Sequence, residues 1–227
     1  MKKRIVVLTG AGVSAESGLQ TFRDSNGLWE NHRIEDVATP QAFERNPALV
    51  LDFYNRRRNA VLKATPNAAH EALVKLEEKF DVQIITQNID DLHERAGSKN
   101  IMHLHGEITK CRTTATFPKF YEYNTDLKVG DKGADGYQLR PHIVWFGEAV
   151  PMMQIAMNMV STADIFLIVG TSLAVYPAAS LVNYLPYNIP IYVVDKKLPS
   201  LPNLPKLTAI EQPATIGMQM LLEKILT

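Results

Sequence analysis

The sequence predicts an α/β protein with a Rossmann-like, doubly wound parallel sheet and a smaller inserted lobe. Runs that are apolar at nearly every residue occur at 5–8, 82–86, 165–169 and 189–194, as expected for parallel strands buried on both faces. Helical patterns separate these runs, which is the alternation typical of doubly wound domains. Two stretches, residues 30–65 and 106–142, interrupt the alternation and predict the inserted lobe.

Amphipathic patterns predict the helices that cover the sheet. One helix face carries apolar residues at i, i+4, i+7 and i+11, namely Ala69, Leu73, Leu76 and Phe80. Residues 213–226 predict a closing helix that carries Ile216, Met220 and Ile225.

The inserted lobe has two parts with different patterns. Residues 30–65 are helical in pattern and are punctuated by Pro40 and Pro47, whereas residues 106–142 are polar and show no strong periodicity. We therefore expect one catalytic domain over residues 1–227. Its large lobe would comprise residues 1–29, 66–105 and 143–227, and its small lobe residues 30–65 and 106–142.

Composition excludes several classes of protein. With 24 basic and 24 acidic residues, the net charge of zero gives no general attraction to nucleic acid or to acidic membranes. The apolar run near the N-terminus stops after four residues, at Leu8, which is too short for a secretory signal, and no run approaches a membrane span. Cys111 is the single cysteine, which excludes an internal disulfide. We expect a cytoplasmic protein, and its oligomeric state stays open.

A glycine-rich turn follows the first predicted strand. Gly10-Ala11-Gly12-Val13-Ser14-Ala15 fits the G-x-G-x-x-G/A pattern, which lets backbone N–H groups approach a pyrophosphate. A dehydrogenase would add an acidic residue at the end of the next strand, about 20 residues further on. Residues 24–40 show no strand pattern, so hydride transfer is disfavoured.

Polar residues also follow the other predicted strands. The run 82–86 is followed by Gln87-Asn88-Ile89-Asp90, and the run 165–169 by Gly170-Thr171-Ser172. Ligands bind beyond the carboxyl ends of strands in open α/β sheets. In His103-Leu104-His105-Gly106 the two histidines of an extended segment point to opposite faces, and His105, beside a glycine, is the better candidate for a cleft.

Together these motifs resemble those of the sirtuin family of NAD-dependent protein-lysine deacylases. The motifs GAGVSAESGLQTFR, TQNIDDLH, HLHG, VWFGE and VGTSL occur in the order typical of that family and span nearly the whole chain. The resemblance implies that NAD and an acyl-lysine side chain of a protein substrate meet in the cleft between the two lobes.

The resemblance also implies roles for individual residues. The catalytic residues would be His105, Asn88 and Asp90. The NAD-binding residues would be Gly10, Ala11, Gly12, Glu16, Phe22, Arg23, Gln87, Asn88, Ile89, Asp90, Gly170, Thr171, Ser172 and Asp195. Val144, Phe146 and Gly147 would line the tunnel for the acyl-lysine. In this family the catalytic histidine acts as a general base on the ribose hydroxyls, and a neutral imidazole suits that role.

One departure from the family pattern concerns metal binding. Most sirtuins hold a structural zinc with two Cys-x-x-Cys pairs after the histidine motif. In this chain, residues 106–140 contain a single cysteine, Cys111, and no histidine. Structural zinc needs four ligands, so zinc is not expected and we expect no metal site. We instead expect an aromatic cluster to organise this segment, formed by Phe117, Phe120, Tyr121, Tyr123 and Tyr137.

The stretch LDFYNRRRNAV carries the signal for substrate choice. On a helix from residue 47 to 63, Arg57 falls on an apolar face with Val50, Tyr54 and Val61, whereas Arg56 can pair with Asp52 and Arg58 has no special environment. A buried arginine needs an anionic partner, which could be a glutamate of the small lobe. The resemblance offers another partner. Sirtuins that prefer succinyl-, malonyl- and glutaryl-lysine carry a Tyr-x-x-Arg pair after an alanine, and Tyr54, Arg57 and Ala38 match this pattern.

Two alternatives stay open at this point. Within the family, the chain could be a deacetylase or an ADP-ribosyltransferase in which Tyr54 and Arg57 are structural. Outside enzymes, it could be a module that only binds NAD or ADP-ribose, although such a module has no need of a base such as His105.

Overall fold

The computed structural model describes residues 2–21, 32–199 and 204–226, and these residues form two sheets. The strands are β1 (Arg4–Thr9), β2 (Asp81–Thr86), β3 (Ile101–His103), β4 (Gly106–Thr113), β5 (Phe120–Glu122), β6 (Leu139–Ile143), β7 (Ile165–Val169), β8 (Ile191–Asp195) and β9 (Leu207–Glu211). The large sheet is parallel with the order β3-β2-β1-β7-β8-β9, and the small sheet is antiparallel with the order β5-β4-β6. The predicted fold class is confirmed.

Helices cover both faces of the large sheet. The helices are α1 (Gly12–Ala15), α2 (Ile34–Val37), α3 (Pro40–Arg45), α4 (Pro47–Lys63), α5 (Ala68–Leu76), α6 (Leu92–Ala96), α7 (Met153–Val160) and α8 (Ala214–Leu226), with a 3₁₀ helix at Ala178–Tyr184. Ile5 and Val7 of β1 face α5 and α8, whereas Val6 and Leu8 face α7 and the 3₁₀ helix. Burial on both faces explains why the parallel strands are apolar at almost every residue.

The small sheet packs against helices α2 to α4. Ile108 and Ile143 of this sheet share one buried cluster with Val50, Phe53 and other residues of α4. The predicted helix over residues 47–63 is confirmed, and it begins at Pro47 with Asn46 accepting a hydrogen bond from the Leu49 N–H (3.1 Å).

Arg58 holds α4 to the small sheet, which corrects the prediction that it has no special environment. The side chain is fully buried, and its guanidinium donates to the carbonyl of Ile108 (2.8 Å), to the carbonyl of Thr125 (3.1 Å) and to Asn55 Oδ1 (2.8 Å). Asn55 in turn pairs with both the N–H and the carbonyl of Leu127. A planar guanidinium can satisfy several carbonyls at once, so Arg58 joins segments that no regular element connects.

The predicted aromatic cluster is wrong. Phe117, Phe120 and Tyr137 are 89%, 55% and 55% exposed, and only Tyr121 and Tyr123 pack inward. They pack on an aliphatic cluster that comprises Leu51, Cys111, Leu127 and Leu139. Burial raises the pKa of the Cys111 thiol to about 11, so it stays protonated and behaves as a small apolar side chain.

Comparison with the predicted elements shows where the patterns were sufficient. All four predicted strands of the large sheet are confirmed, whereas β3 and β9 at its two edges were not predicted. The closing helix is confirmed as α8, but Ile216 and Met220 are about half exposed, and α8 buries Ala214, Gly217, Met218, Leu221 and Leu222 instead. No helix in the described part of the chain combines the length and apolarity needed to span a bilayer.

Candidate active site

The carboxyl ends of β1, β2 and β7 lie side by side. In the sheet register, Thr9 at the end of β1 is paired with Thr86 of β2 and with Val169 of β7. The chain leaves β1 toward β2 and β3 on one side and returns as β7 on the other, so this is the topological switch point of the sheet. The segments that begin at Gly10, Gln87 and Gly170 therefore meet at one edge, as their positions after strands predicted.

The glycines at this edge allow two backbone segments to touch. The Gly12 N–H donates to the Gly170 carbonyl (2.8 Å), and a Cβ on Gly12 would lie only 2.7 Å from Gly170 Cα. Gly170 has a φ of +62°, a conformation that favours glycine. Gln87 spans the same gap, since its Nε2 donates to Thr171 Oγ1 (3.0 Å) and to the Thr9 carbonyl (3.3 Å).

Ser14 is the centre of a buried hydrogen-bond network beneath the glycine turn. Its hydroxyl donates to Asp90 Oδ2 (3.0 Å) and accepts from Asn88 Nδ2 (3.1 Å). His70 Nδ1 accepts from the Asn67 N–H, so in the neutral ring Nε2 carries the proton and points it at Ser14 Oγ (3.4 Å). The network fixes the side chains of Asn88 and Asp90 relative to the glycine turn.

A second chain of hydrogen bonds supports the backbone of Asn88. The Thr9 hydroxyl donates to Thr86 Oγ1 (2.8 Å), which also accepts from the Asn88 N–H (3.1 Å). Because the Thr9 proton is used in this way, His93 Nε2 (3.0 Å) must be the donor to Thr9 Oγ1. Every member of this chain is buried.

Burial sets the protonation of these groups. Burial, together with the charge of Arg95, lowers the pKa of His70 to about 4, and burial also lowers the pKa of His93. Both rings are therefore neutral at physiological pH, in agreement with their hydrogen bonds. Burial raises the pKa of Asp90, an effect that the donors Leu92 N–H and Ser14 hydroxyl oppose.

His105 lies in the connection between the large and the small sheet. Its Nδ1 is 2.9 Å from the carbonyl of Gln87, and because a carbonyl only accepts, Nδ1 carries the proton. Nε2 of the neutral ring is then the basic nitrogen. Burial lowers the pKa of His105 and the Gln87 carbonyl partly opposes this, so the ring stays neutral at physiological pH. The arrangement suits a general base.

The segment after β6 connects this site to the small lobe. The Val144 N–H donates to the His105 carbonyl (2.9 Å) and the Phe146 N–H to the Ala38 carbonyl (3.0 Å). Glu148 anchors the segment, since its carboxylate accepts from the Trp145 N–H (2.8 Å) and from Arg140 (2.7 Å). Gly147 has a φ of +89° and turns the chain between them.

Tyr54 and Arg57 lie on the buried face of α4, as their spacing predicted. Val50, Tyr54, Arg57 and Val61 are 0%, 1%, 8% and 1% exposed, whereas Arg56 is a surface residue paired with Asp52 (2.6 Å). Tyr54 belongs to the same buried cluster as Ala38 and Trp145. Burial raises the pKa of Tyr54 above its usual range despite the nearby charge of Arg57, so its hydroxyl stays a donor.

The remaining predicted NAD-binding residues lie around this centre. The Glu16 carboxylate accepts from the Thr215 N–H (3.0 Å) and hydroxyl (2.7 Å), which joins the glycine turn to α8. Asp195 ends β8 and accepts from the Lys197 N–H (3.0 Å). The Ile89 carbonyl accepts from the Ile108 N–H, and Ala11 and Ser172 lie in the turns after β1 and β7. Phe22 and Arg23 lie outside the described residues.

Sequence reasoning missed the residues that hold the site from below. Ser14, His70 and His93 have their partners 56 to 84 positions away in the sequence. The one local signal was Asn67-x-x-His70, a capping box at the start of α5 that fixes the His70 tautomer.

Comparison with known proteins places this site in a family. A family model described as Sir2 family matches residues 10–177, which include the glycine turn, Asn88, Asp90 and His105. The chain belongs to the Sir2, or sirtuin, family. The family prediction is thereby confirmed.

Relatives in this family match the chain over most of its length. An NAD-dependent protein deacylase of Bacteroides thetaiotaomicron is 54% identical over 203 residues, 86% of each chain. An NAD-dependent protein deacylase of Helicobacter pylori is 48% identical over 224 residues, which cover 99% of this chain and 98% of that protein.

Solved Sir2 structures share the fold. A Sir2 homologue in complex with NAD superposes with a TM-score of 0.88 at 39% identity, covering 98% of this chain and 89% of that one. A Sir2 protein bound to an acetylated peptide has a TM-score of 0.80 at 29% identity, covering 98% and 93%. Within residues 2–21, 32–199 and 204–226 of this sirtuin, no three His, Cys, Asp or Glu side chains form a group that could hold a metal ion.

Proposed function

We propose that this sirtuin is an NAD-dependent protein deacylase that removes acyl groups from lysine side chains. The observation that carries the proposal is the neutral His105, whose Nδ1 is committed to the Gln87 carbonyl (2.9 Å), so that its basic Nε2 is free for proton transfer. A protein that only binds NAD has no use for a base held in one tautomer. The deacylase names of relatives at about half identity support the same reaction.

The switch point of the sheet fits a dinucleotide. Gly12 and Gly170 keep the turns after β1 and β7 in contact, since side chains there would collide with the chain itself. A glycine turn of this type after the first strand would hold the pyrophosphate. Ala11, Ser172 and Thr171 would line the same turns, Glu16 would brace the glycine turn against α8, and Asp195 would face the adenine ribose. When bound, NAD supplies the ribose carbon that accepts the acyl oxygen, with nicotinamide as the leaving group.

The chain's own residues would then orient NAD and the substrate lysine and remove a proton from the ribose. Asn88 and Asp90, fixed by Ser14, would bind the nicotinamide ribose and the carboxamide, with Gln87 and Ile89 beside them. His105 would take a proton from a ribose hydroxyl through Nε2. The backbone of Val144, Phe146 and Gly147 would hold the substrate lysine in its tunnel. Because the pKa of His105 is lowered, the base is ready for this step at neutral pH.

We further propose that the preferred acyl groups are acidic, namely succinyl and malonyl, with acetyl also accepted. Arg57 is an arginine on an otherwise apolar buried face beside Tyr54, whose hydroxyl stays protonated. Guanidinium and phenol together offer the donors that a terminal carboxylate requires, and the small Ala38 side chain leaves space.

The buried free thiol of Cys111 suits a reducing compartment, which supports a cytoplasmic location.

Substrate choice tests this assignment through Arg57→Met. NAD-dependent deacylation is measured on one peptide that carries either succinyl-lysine or acetyl-lysine. We expect wild type to prefer the succinyl peptide, and Arg57→Met to lose roughly 10- to 150-fold in kcat/KM for succinyl, because a buried charged hydrogen bond is worth about 1.5–3 kcal/mol. Acetyl turnover should change much less.

Arg56→Met is the matched control, because Arg56 lies on the exposed face of the same helix. It should leave both activities unchanged. A different result would contradict the proposal: acetyl activity that equals or exceeds succinyl activity and that Arg57→Met does not alter. Tyr54 and Arg57 would then be structural residues of a deacetylase. Transfer of ADP-ribose to protein without deacylation would identify the transferase activity instead.

A further inference from the structure

The first histidine of the HLHG motif has a different environment from His105. His103 ends β3, and its Nδ1 is 3.1 Å from the carbonyl of Asn88, one residue beyond the carbonyl that His105 contacts. Its Nε2 is 2.7 Å from Glu94 Oε1 on α6, and its side chain is only 9% exposed. The two histidines therefore hold two consecutive carbonyls of the segment that carries Asn88 and Asp90.

The hydrogen bonds of His103 require a doubly protonated ring. A carbonyl oxygen accepts only, and so does an ionised carboxylate, so both Nδ1 and Nε2 must donate. His103 is then an imidazolium, whereas His105 is neutral. Loss of one proton would leave a ring lone pair facing either the Asn88 carbonyl or the Glu94 carboxylate, and one of the two contacts would break.

The charged surroundings of His103 come from α6, from β4 and from the loop that precedes α6. Four titratable groups interact electrostatically with His103, namely Glu94 and His93 of α6, Glu107 of β4 and Asp90 of the loop. Lys110 of β4 is paired to Glu107. Burial alone would lower the pKa of His103, but the hydrogen bond and charge of Glu94, helped by Glu107, outweigh it and raise the pKa. The geometry and the charges agree on a protonated ring.

We propose that the ion pair of His103 and Glu94 is a positioning device that clamps the Asn88 carbonyl and so keeps Asn88 and Asp90 in place for NAD. The role of Asn88 and Asp90 in NAD binding rests on the proposed function, while the contact of His103 with Glu94 and Asn88 is a property of the folded chain. His103 does not touch the reacting atoms, since it acts through the backbone of Asn88.

The clamp makes NAD use depend on pH in a defined direction. Because the pKa of His103 is raised, the clamp stays intact to a higher pH than an ordinary histidine would allow, and it is lost as the pH rises through that raised value. On the acidic side it is lost only when Glu94, whose pKa is lowered overall by His103 despite burial, becomes protonated. We therefore expect kcat/KM for NAD to fall at alkaline pH. This fall is separate from the one at acidic pH, where protonation of His105 would remove the general base.

Glu94→Gln tests the clamp without removing either side chain. A glutamine amide can donate to Nε2, so a neutral His103 can keep Nδ1–H on the Asn88 carbonyl at high pH. The alkaline limb of kcat/KM for NAD should disappear in Glu94→Gln. In wild type, histidine ring signals in NMR spectra should show His103, assigned through His103→Phe, titrating above the ordinary range of histidine, and in Glu94→Gln at a lower pH than in wild type.

His103→Phe keeps a flat aromatic ring, although a larger one, and removes both hydrogen bonds. The KM for NAD should rise roughly tenfold, while the KM for the acyl peptide stays the same. Glu122→Gln is the control, because Glu122 is an exposed acid 3.8 Å from Lys110 and has no contact with His103. It should change neither the alkaline limb nor the KM.

The outcomes separate the clamp from the proposed activity. A wild-type protein that binds NAD but deacylates nothing would contradict the proposed function, and the clamp would still be read from NAD affinity and from the His103 titration. A His103 that titrates at the same pH in wild type and Glu94→Gln would overturn the clamp. So would an alkaline limb that Glu94→Gln leaves unchanged, or a His103→Phe protein with unaltered NAD use.

Discussion

At the residue scale, the basicity of His105 is set by two opposing effects. Burial favours the neutral ring, and the Gln87 carbonyl favours a proton on Nδ1, which is present in both the neutral and the charged form. The Gln87 contact therefore fixes the tautomer of the neutral ring more than it raises the pKa of His105. His105 differs in this from His103, whose second nitrogen meets a carboxylate.

The acidic limb of the pH profile follows from the lowered pKa of His105. A general base works only when it is unprotonated, so kcat/KM should rise with pH through a value below the ordinary 6.5 of histidine. Initial rates measured from pH 5 to 8 with an acyl peptide and saturating NAD would give this limb. A midpoint clearly above 6.5 would mean that a carboxylate acts on His105, which the described contacts do not contain.

Sequence patterns could predict where residues of compact motifs lie, whereas their roles stay a prediction. Asn88, Asp90 and His105 lie within four residues of strand ends, so their placement at one edge of the sheet could be predicted from the parallel topology. Arg58 could not be identified, because its partners Ile108 and Thr125 come from segments 50 and 67 positions away. Helical spacing shows which face a residue occupies, but not what packs on that face.

At the scale of elements, Arg58 connects α4 to the small sheet through side-chain hydrogen bonds. Replacing Arg58 with Met would leave the buried carbonyl of Ile108 without its side-chain donor, whereas the carbonyl of Thr125, an exposed residue, could turn to water. We expect the free energy of unfolding to fall by about 1–3 kcal/mol, since one unsatisfied buried group costs about that much. Urea titration followed by circular dichroism measures this change.

The adjacent Arg56 supplies the comparison for that experiment. Arg56 forms an exposed pair with Asp52, so Arg56→Met should change the free energy of unfolding by less than about 0.5 kcal/mol. Equal stability of the Arg58→Met and Arg56→Met proteins would show that Arg58 does not support the small lobe.

Element prediction failed mainly at the edges of sheets and in the small lobe. β3 has three residues, and β9 carries polar residues because one of its sides has no neighbouring strand, so neither shows the continuous apolar run of the central strands. The small sheet is short and half exposed, and its polar strands resembled loop sequence. In α8 the exposed Ile216 and Met220 misled the choice of face, because the buried face uses Ala214 and Gly217 for close packing.

At the scale of the whole molecule, two lobes share their connections near His105. The chain passes from β3 to β4 through His105 and returns through Val144, whose N–H donates to the His105 carbonyl. The position of the catalytic candidate is therefore tied to both sheets. Strand alternation could predict the large sheet and its switch point, but the way in which the small sheet closes on it depends on packing between distant segments.

Metal content is a property of the whole protein that can be tested directly. Because Cys111 is the single cysteine and its thiol stays protonated, we expect no tightly bound zinc. Elemental analysis of the purified protein should find far less than one equivalent, and incubation with EDTA should leave the Tm and the deacylase activity unchanged. One equivalent of zinc that resists dialysis would refute this prediction.

The most direct test of the proposed activity is the product balance of the reaction. Mass spectrometry would quantify nicotinamide, free lysine peptide and O-acyl-ADP-ribose after incubation of wild type with NAD and a succinyl-lysine peptide. We expect the three products in equal amounts, and we expect His105→Ala to lose roughly 100-fold or more of the turnover while it still binds NAD. Deacylated peptide formed without NAD consumption, or full turnover in His105→Ala, would contradict NAD-dependent deacylation with His105 as the base.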